Sequence, residues 1–231
     1  MLNNSYNPIP FDHTYILYDP NDIFSIISVQ FSLLPIYIMV FYTSWFLITH
    51  EIEPVIVVGG HLINEIINKL IKHMIKHPRP DFHKGFGAGS YSLTYGMPSA
   101  HSQFMGFFIT YYICVIIFKI PLKKWQKWLG CSILSFCMFG VGFSRIYLLY
   151  HSFPQVYVGF LIGITFGITF FIISSIARDL GIIDWILNWP IVRFFYIKDT
   201  YYHNYQSYKD EFNHYLELKK KKKKSLSKKY L

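Results

Sequence analysis

The chain has 231 residues, of which 52% are hydrophobic and only 15% are charged. About a quarter of the residues in soluble domains are charged, so this composition excludes an ordinary soluble domain. The net charge of +9 comes mainly from a lysine tail and a few loops, not from a folded face, which favours a membrane surface over nucleic acid as the partner.

The apolar residues form long blocks, five of which reach or approach the roughly 20 residues that a membrane helix needs. The predicted spans are 23–48, 54–75, 99–118, 128–143 and 152–177. The fourth is short, but the flanking residues from Trp125 to Tyr150 can extend it. A sixth apolar stretch, 180–195, is interrupted by Asp184, a proline and Arg193, and its tryptophans suit a segment at the membrane interface. We therefore expect an all-α polytopic membrane helix bundle with about five spans plus an interfacial segment.

The distribution of Lys and Arg predicts the orientation. Five spans place the two termini on opposite sides of the membrane, and most basic residues fall on the C-terminal side. They are Lys119, Lys123, Lys124, Lys127, Arg178 and the run 219–224. The positive-inside rule makes that side cytoplasmic. We expect residues 1–22 to form a lumenal N-terminal segment, 23–200 a membrane domain, and 201–231 a cytoplasmic Lys-rich tail.

Two short signals bear on the compartment. Lys228 and Lys229 lie fourth and third from the C-terminus, as in the dilysine retrieval signal of endoplasmic reticulum membrane proteins. Any Lys-rich tail can produce this pair by chance, but the predicted cytoplasmic side favours a working signal. Asn3 begins a glycosylation sequon on the predicted lumenal side. We expect no signal peptide, because the first 22 residues are polar and lack a basic start.

The second span carries a polar stripe. His61, Glu65, Asn68 and Lys72 recur at helical spacing. Charged residues within a span usually face a bundle interior or a wet cavity. The alternative is a Glu65–Lys69 ion pair on an amphipathic helix end, and for His61 and Glu65 the two interpretations stand about even.

Three further clusters lie on the same predicted side of the membrane. They are Lys72 with Arg79, Ser99 with His101, and Arg145 with His151. Alone, each cluster has an ordinary explanation: a loop, a helix cap or an interfacial anchor. The first closes the second span, the next opens the third, and the last bridges the fourth and fifth. Because these sequence-distant groups meet at one face, we interpret them together as one site.

The chemistry of these residue types fits phosphoryl transfer. Lys and Arg donors bind phosphate oxygens and stabilise transition-state charge. Ser99 begins a helix, where its hydroxyl and the exposed backbone N–H groups can bind an anion. One histidine can attack phosphorus, and the other can act as acid and base. No carboxylate cluster suits a metal ion, and the three cysteines match no zinc spacing. We therefore expect no metal and no other cofactor.

The three clusters resemble the signature of the type-two phosphatidic acid phosphatase superfamily. The resemblance implies a membrane helix bundle in which His151 is the nucleophile and His101 is the acid and base. It implies that Lys72, Arg79, Ser99 and Arg145 bind phosphate.

The match is closer to the dolichyl-diphosphatase branch, on residues 95–105 and 144–151. The wider superfamily has an Asp four residues after the nucleophile, whereas this chain and that branch have Gln155. A Gln can orient the histidine ring but adds no charge, which leaves Asp81 as a candidate charge partner. The resemblance implies hydrolysis of a polyprenyl diphosphate, above all dolichyl diphosphate, at a lumenal site in the endoplasmic reticulum membrane. That reaction would recycle the lipid carrier of protein N-glycosylation.

Three other functions stay open. One is a phosphatase for phosphatidate, a sphingoid phosphate or another prenyl diphosphate. The second is a lipid transporter or scramblase, which a polar stripe inside a bundle would also serve, and the third is a catalytically silent scaffold. The intact pair His101 and His151 argues against the last two, because helix packing demands neither residue.

Overall fold

The computed structural model describes residues 9–11, 16–81, 95–200 and 208–229. Its helices are α1 (Ile23–Thr49), α2 (Glu53–Ile75), α3 (Ala100–Phe118), α4 (Lys124–Tyr147), α5 (Phe153–Asp179), α6 (Ile182–Leu187), α7 (Pro190–Phe194) and α8 (Tyr208–Lys229). Helices α1 to α5 are long and apolar enough to cross a membrane. The expected five-span helical bundle is therefore confirmed.

A short β-hairpin precedes α1 and was not expected from the sequence. Strands β1 (Ile9–Phe11) and β2 (Ile16–Tyr18) pair antiparallel, with Pro10 opposite Leu17. Asp22 then caps α1, its side chain accepting a hydrogen bond from the Phe24 backbone N–H at 3.0 Å. The hairpin lies at the end of the bundle where α1 begins, called the site end below.

Glycines bring α3 and α5 into backbone contact. A Cβ placed on Gly163 of α5 would lie 2.3 Å from the Gln103 carbonyl oxygen, and one on Gly159 would lie 2.7 Å from the Ser99 carbonyl oxygen. Small residues four apart allow this close approach between membrane helices. The Ser99 backbone N–H also donates to the Gln155 carbonyl at 3.0 Å. The first turns of α3 and α5 are thereby held side by side.

A buried ion cluster closes the opposite end of the bundle. Arg178, at the end of α5, donates to Glu53 at the start of α2 and to Asp199 at 2.8 Å. The Tyr111 hydroxyl of α3 donates to the same Glu53 carboxylate at 2.7 Å. Each charge meets an opposite charge, as burial of ions requires. The cluster fixes the chain that follows α5 against α2.

The sixth apolar stretch forms α6 and α7, of six and five residues. At 1.5 Å per residue neither helix approaches the roughly 30 Å of a bilayer core. Trp185 and Trp189 keep 63% and 42% of their surface exposed, an exposure compatible with the interfacial placement that the sequence predicts.

The residues of the polar stripe of α2 divide between the two interpretations that the sequence left open. His61 and Asn68 are buried, and the His61 ring stacks on Phe104 with 3.9 Å between centroids. The Glu65 side chain, however, is 49% exposed and pairs with Lys69 at 3.7 Å. For Glu65 the structure therefore agrees with the alternative interpretation, an ion pair with Lys69 whose charges stay outside the helix packing.

The described part of the Lys-rich tail, residues 208–229, forms the 22-residue helix α8. Its side chains from 209 to 222 are exposed almost throughout, as their charge requires. Asn3 lies outside the described residues, and so do the side chains of Lys228 and Lys229.

Candidate active site

A cavity of about 260 Å³ opens at the site end. Its lining consists of Ile16, Ser32, Ile36, Arg79, Ala100, His101, Arg145 and His151. Four predicted site residues therefore meet around one space, although they come from three separate clusters in the sequence. The space lies where α2 ends, α3 begins and α4 gives way to α5.

Two further predicted site residues, Lys72 and Ser99, lie near the cavity but are not among the residues that line it. Lys72 is half-buried in the last turn of α2 and lies close enough to His101 to act on it electrostatically, as Arg79 does. Ser99 is buried and caps α3, as predicted, with its Oγ accepting a hydrogen bond from the Ser102 hydroxyl at 3.0 Å. Because Ser99 accepts there, its own hydroxyl proton can be donated to another group.

Gln155 contacts the His151 ring, as its spacing predicts. The His151 Nδ1 lies 3.1 Å from the Gln155 Oε1, which also accepts the Ser152 backbone N–H at 3.2 Å. Both residues are buried. The amide sits in the first turn of α5, one turn after the histidine, so the local chain course brings the pair together.

The surroundings of Gln155 fix which amide atom faces His151. The Gln155 Nε2 donates to the Pro78 carbonyl oxygen at 2.7 Å and lies 3.0 Å from the His77 Nδ1. The absence of a side chain at Gly96 leaves room for the Gln155 amide, since a Cβ on Gly96 would lie 2.5 Å from the Gln155 Nε2. The amide nitrogen therefore points away from His151 and the oxygen points towards it.

This orientation sets the state of the His151 ring. An amide oxygen can only accept, so the Nδ1 carries the proton and the Nε2 keeps its lone pair. Burial lowers the pKa of His151 well below its ordinary value, and the charges of Arg145 and Arg79 lower it further. The ring is thus neutral near pH 7, as a nucleophile must be. Asp81 is exposed, and its role as a charge partner of His151 stays a prediction.

Arg145 is held from two sides. Its Nη1 donates to the Ser32 hydroxyl of α1 at 3.1 Å, and its guanidinium carbon lies 4.1 Å from the centre of the Tyr150 ring. The Tyr150 hydroxyl in turn accepts the Leu17 backbone N–H at 2.8 Å. The hairpin and α1 therefore both help to place this cation at the cavity.

A layer of buried amides joins α2 to α3 beneath the site. The Asn68 Nδ2 donates to the Gln103 Oε1 at 2.8 Å, and the Gln103 Nε2 donates to the Asn64 Oδ1 at 2.8 Å. The Asn68 Nδ2 also approaches the Pro98 carbonyl oxygen at 3.4 Å. This layer fixes the chain just before Ser99, and the sequence alone assigned it no such role.

Sequence reasoning also missed the contribution of α1. The first span looks featureless because it is uncharged, yet it supplies Ser32 and Ile36 to the cavity. A signal was present: Ser25, Ser28 and Ser32 recur at helical spacing, and all three are buried. His77, which faces Gln155, was missed too.

The family follows from comparison with known proteins. Residues 53–179 match the model of the PAP2 superfamily. The chain belongs to the PAP2 superfamily. The matched range contains all seven predicted site residues, whereas the hairpin and α1 precede it. The resemblance drawn from the three clusters is therefore confirmed.

The chain is similar to known proteins over most of its length. The dolichyldiphosphatase of Saccharomyces cerevisiae is 44% identical over 210 residues, which are 87% of this chain and 84% of that protein. Dolichyldiphosphatase 1 of Homo sapiens is 31% identical over 199 residues, 83% of this chain and 82% of that protein. The crystal structure of a transmembrane PAP2-type phosphatidylglycerolphosphate phosphatase from Bacillus subtilis superposes with a TM-score of 0.53 at 20% identity, covering 67% of this chain and 76% of that one. This last similarity concerns the fold.

Proposed function

We propose that the protein hydrolyses dolichyl diphosphate to dolichyl phosphate and inorganic phosphate through a phosphohistidine intermediate. The observation that carries the proposal is the state of the His151 ring, which is buried and neutral and whose tautomer is set by Gln155. This ring lines a cavity together with Arg79, Arg145 and His101. The dolichyldiphosphatases to which the chain is similar supply the choice of substrate.

In the first step the His151 Nε2 attacks the terminal phosphorus. The bond from that phosphorus to the bridging oxygen breaks, and dolichyl phosphate leaves as His101 donates a proton to its oxygen. Arg79 and Arg145 bind the oxygens of the transferring group, whose charge spreads in the transition state. Lys72 adds positive charge behind Arg79, and Ser99 donates its hydroxyl proton.

In the second step a water molecule replaces the histidine. His101 accepts a proton from the water as its oxygen attacks the phosphorus, and the nitrogen–phosphorus bond breaks. Inorganic phosphate is released, and His151 returns to its neutral state. The Gln155 Oε1 accepts the hydrogen bond from the His151 Nδ1–H throughout both steps. The Nε2 therefore remains the reacting atom.

The cavity suits an amphiphilic substrate. Its cationic part is formed by Arg79 and Arg145, and its apolar part by Ile16 and Ile36. Ile36 is 54% exposed on a helix long enough to span the membrane. A diphosphate can therefore occupy the polar part while a prenyl chain leaves along α1 into the bilayer.

The proposed location is the endoplasmic reticulum membrane, with the site lumenal and the C-terminus cytoplasmic. Lys119, Lys123, Lys124 and Lys127 lie between or at the ends of α3 and α4, away from the site. Arg178 lies in the last turn of α5, at that same end, and the Lys-rich tail comes after it in the sequence. The positive-inside rule then directs the site end to the lumen.

The decisive experiment measures phosphate release by the detergent-purified full chain. Dolichyl diphosphate and phosphatidate are compared side by side, with the wild type, His151→Ala and His214→Ala. The last is a matched control, because His214 is an exposed histidine of α8 outside the bundle. We expect a preference for the diphosphate that His151→Ala abolishes and His214→Ala keeps.

Other results would change the conclusion in different ways. Preference for phosphatidate would keep the chemistry and overturn the substrate. Full activity in His151→Ala would remove the nucleophile assignment. Release from neither lipid by folded wild-type protein would favour a transporter or a scaffold.

A further inference from the structure

Helix α1 contributes to the cavity although it lies outside the residues that match the family model. That match begins at residue 53, where α2 begins. Ser32 and Ile36, one turn apart on α1, nevertheless line the cavity with the two histidines. The question is whether Ser32 only fills space or acts on the reacting groups.

The hydrogen bonds of Ser32 have a defined direction. The Ser144 hydroxyl donates to the Val141 carbonyl at 2.7 Å, so its proton is used there. The 3.1 Å contact between the Ser32 and Ser144 hydroxyls must then carry the Ser32 proton. The Ser32 oxygen is left to accept from the Arg145 Nη1 at 3.1 Å. Both hydroxyl protons and one Nη1 hydrogen of Arg145 therefore have an acceptor, and this chain of hydrogen bonds restrains the orientation of the Arg145 guanidinium.

The same turn of α1 reaches the second histidine. The His101 ring lines the same cavity as Ser32 and lies close enough to the Ser32 backbone for that backbone to act on it. Ser32 is 1% exposed and Arg145 is 3% exposed, so water has little access to replace either contact. A single residue of α1 therefore lies beside the proposed acid and base and accepts a hydrogen bond from a proposed phosphate ligand with its hydroxyl.

We propose that Ser32 is a positioning residue that orients the Arg145 guanidinium for the transferring phosphate. The inference rests on the proposed function, since it needs a phosphate in the cavity. Arg binds phosphate best when its planar guanidinium is held in a fixed geometry, and the Ser32 hydroxyl restrains that group by accepting a hydrogen bond from its Nη1. In this role the Ser32 hydroxyl acts on the reaction through Arg145.

The test compares Ser32→Ala with Ser28→Ala. Ser28 lies one turn earlier on α1, is equally buried, and its hydroxyl has no hydrogen-bond partner among the described residues. Ser32→Cys serves as a second variant that keeps the volume and replaces the oxygen by a weak acceptor. The readouts are kcat/KM for dolichyl diphosphate, the affinity for orthovanadate by calorimetry, and the unfolding midpoint.

We expect Ser32→Ala and Ser32→Cys each to lower kcat/KM and vanadate affinity by about ten-fold or more, the range for a hydrogen bond to a charged group. Ser28→Ala should leave both readouts within about two-fold, as for substitutions remote from a site. In an Arg145→Lys background, which lacks the Nη1 donor, Ser32→Ala should weaken vanadate binding by less than about two-fold.

The outcomes separate this inference from the proposed function. Wild-type activity with unchanged kcat/KM in Ser32→Ala and Ser32→Cys would overturn the positioning role alone. An equal loss of vanadate affinity in the wild-type and Arg145→Lys backgrounds would also overturn it, because Ser32 would not act through Arg145. Absence of hydrolysis by the folded wild type would overturn the proposed function instead.

Discussion

Replacing Gln155 by Glu tests the electrostatics of the proposed nucleophile. The amide oxygen of Gln155 lies 3.1 Å from the His151 Nδ1, and a carboxylate there would favour the imidazolium. An opposite charge at this range shifts a pKa by about 1 to 3 units. In the wild type the pKa of His151 is held well below its ordinary value, so the substitution raises it from there.

The sign of the pH effect follows. Only the neutral ring attacks phosphorus, so activity is lost as pH falls through the pKa of His151. A raised pKa therefore moves the acid limb of kcat/KM to higher pH, by at least about one pH unit. A carboxylate also cannot donate to the Pro78 carbonyl, which now accepts from the Gln155 Nε2 at 2.7 Å. That loss costs about 1 to 3 kcal/mol of stability.

The assay is kcat/KM for dolichyl diphosphate from acid to mildly alkaline pH, normalised to folded protein. Gln126→Glu is the matched control, because Gln126 caps α4 at the opposite end and its Oε1 accepts the Lys123 backbone N–H at 3.0 Å, a contact that Glu can keep. An acid limb that stayed in place for Gln155→Glu would refute the reasoning, because residue 155 would then not control the charge of the nucleophile.

Three further predictions concern stability and the absence of a metal requirement. Arg178→Met leaves buried carboxylates without their cation and should lower the free energy of unfolding by about 3 to 5 kcal/mol. The control Lys198→Met removes a half-exposed ion pair with Glu51 at 3.8 Å and should lower it by less than about 1 kcal/mol. Equal unfolding midpoints for the two variants would contradict this prediction. Gly163→Leu should prevent stable packing of α3 on α5. The control Gly59→Leu, at a position with open space around it, should be tolerated. Purification yield and unfolding midpoint measure the effect of each substitution. Activity should persist in excess chelator, because the proposed phosphate ligands are side chains, and a loss that magnesium restored would count against the mechanism.

The extents of the membrane helices were largely predictable from the sequence. Apolar length decides which segments cross, and cap residues such as Ser99 decide where helices begin. The fourth span has an apolar core over 128–143, which the residues from Trp125 to Tyr150 were expected to extend, and its helix runs from Lys124 to Tyr147. The apolar core underestimates it, because a helix continues through the interface, where tryptophans and charged side chains are accommodated.

The inner face of α2 could not be decided from periodicity. His61 followed by Glu65 and Asn68 fits the helical repeat, but His61 followed by Asn64 and Asn68 fits it equally well. The buried residues are the amides, since Asn64 and Asn68 can share hydrogen bonds with Gln103. Glu65 would bring a charge that this layer cannot neutralise. Partners on another helix therefore choose the face, and the sequence of α2 does not contain them.

The contribution of α1 was hidden for a related reason. An uncharged apolar span gives no chemical signal, and Ser32 acquires a role only when α4 brings Arg145 and Ser144 beside it. The clusters of charged and histidine residues could be found from the sequence because their residue types are costly in a membrane. A buried serine carries no such cost and is recognised only through its contacts.

A neutral amide at position 155 is consistent with the rest of the site. Arg145 and Arg79 already disfavour the charged form of His151, and a carboxylate beside the ring would oppose them. The Nδ1 proton needs only an acceptor to fix the tautomer, which the Gln155 oxygen provides. The Pro78 carbonyl needs a donor, which a carboxylate lacks and the Gln155 nitrogen supplies. Gln155 thus satisfies both neighbours and leaves His151 neutral before substrate binds, with its Nε2 lone pair available to attack phosphorus.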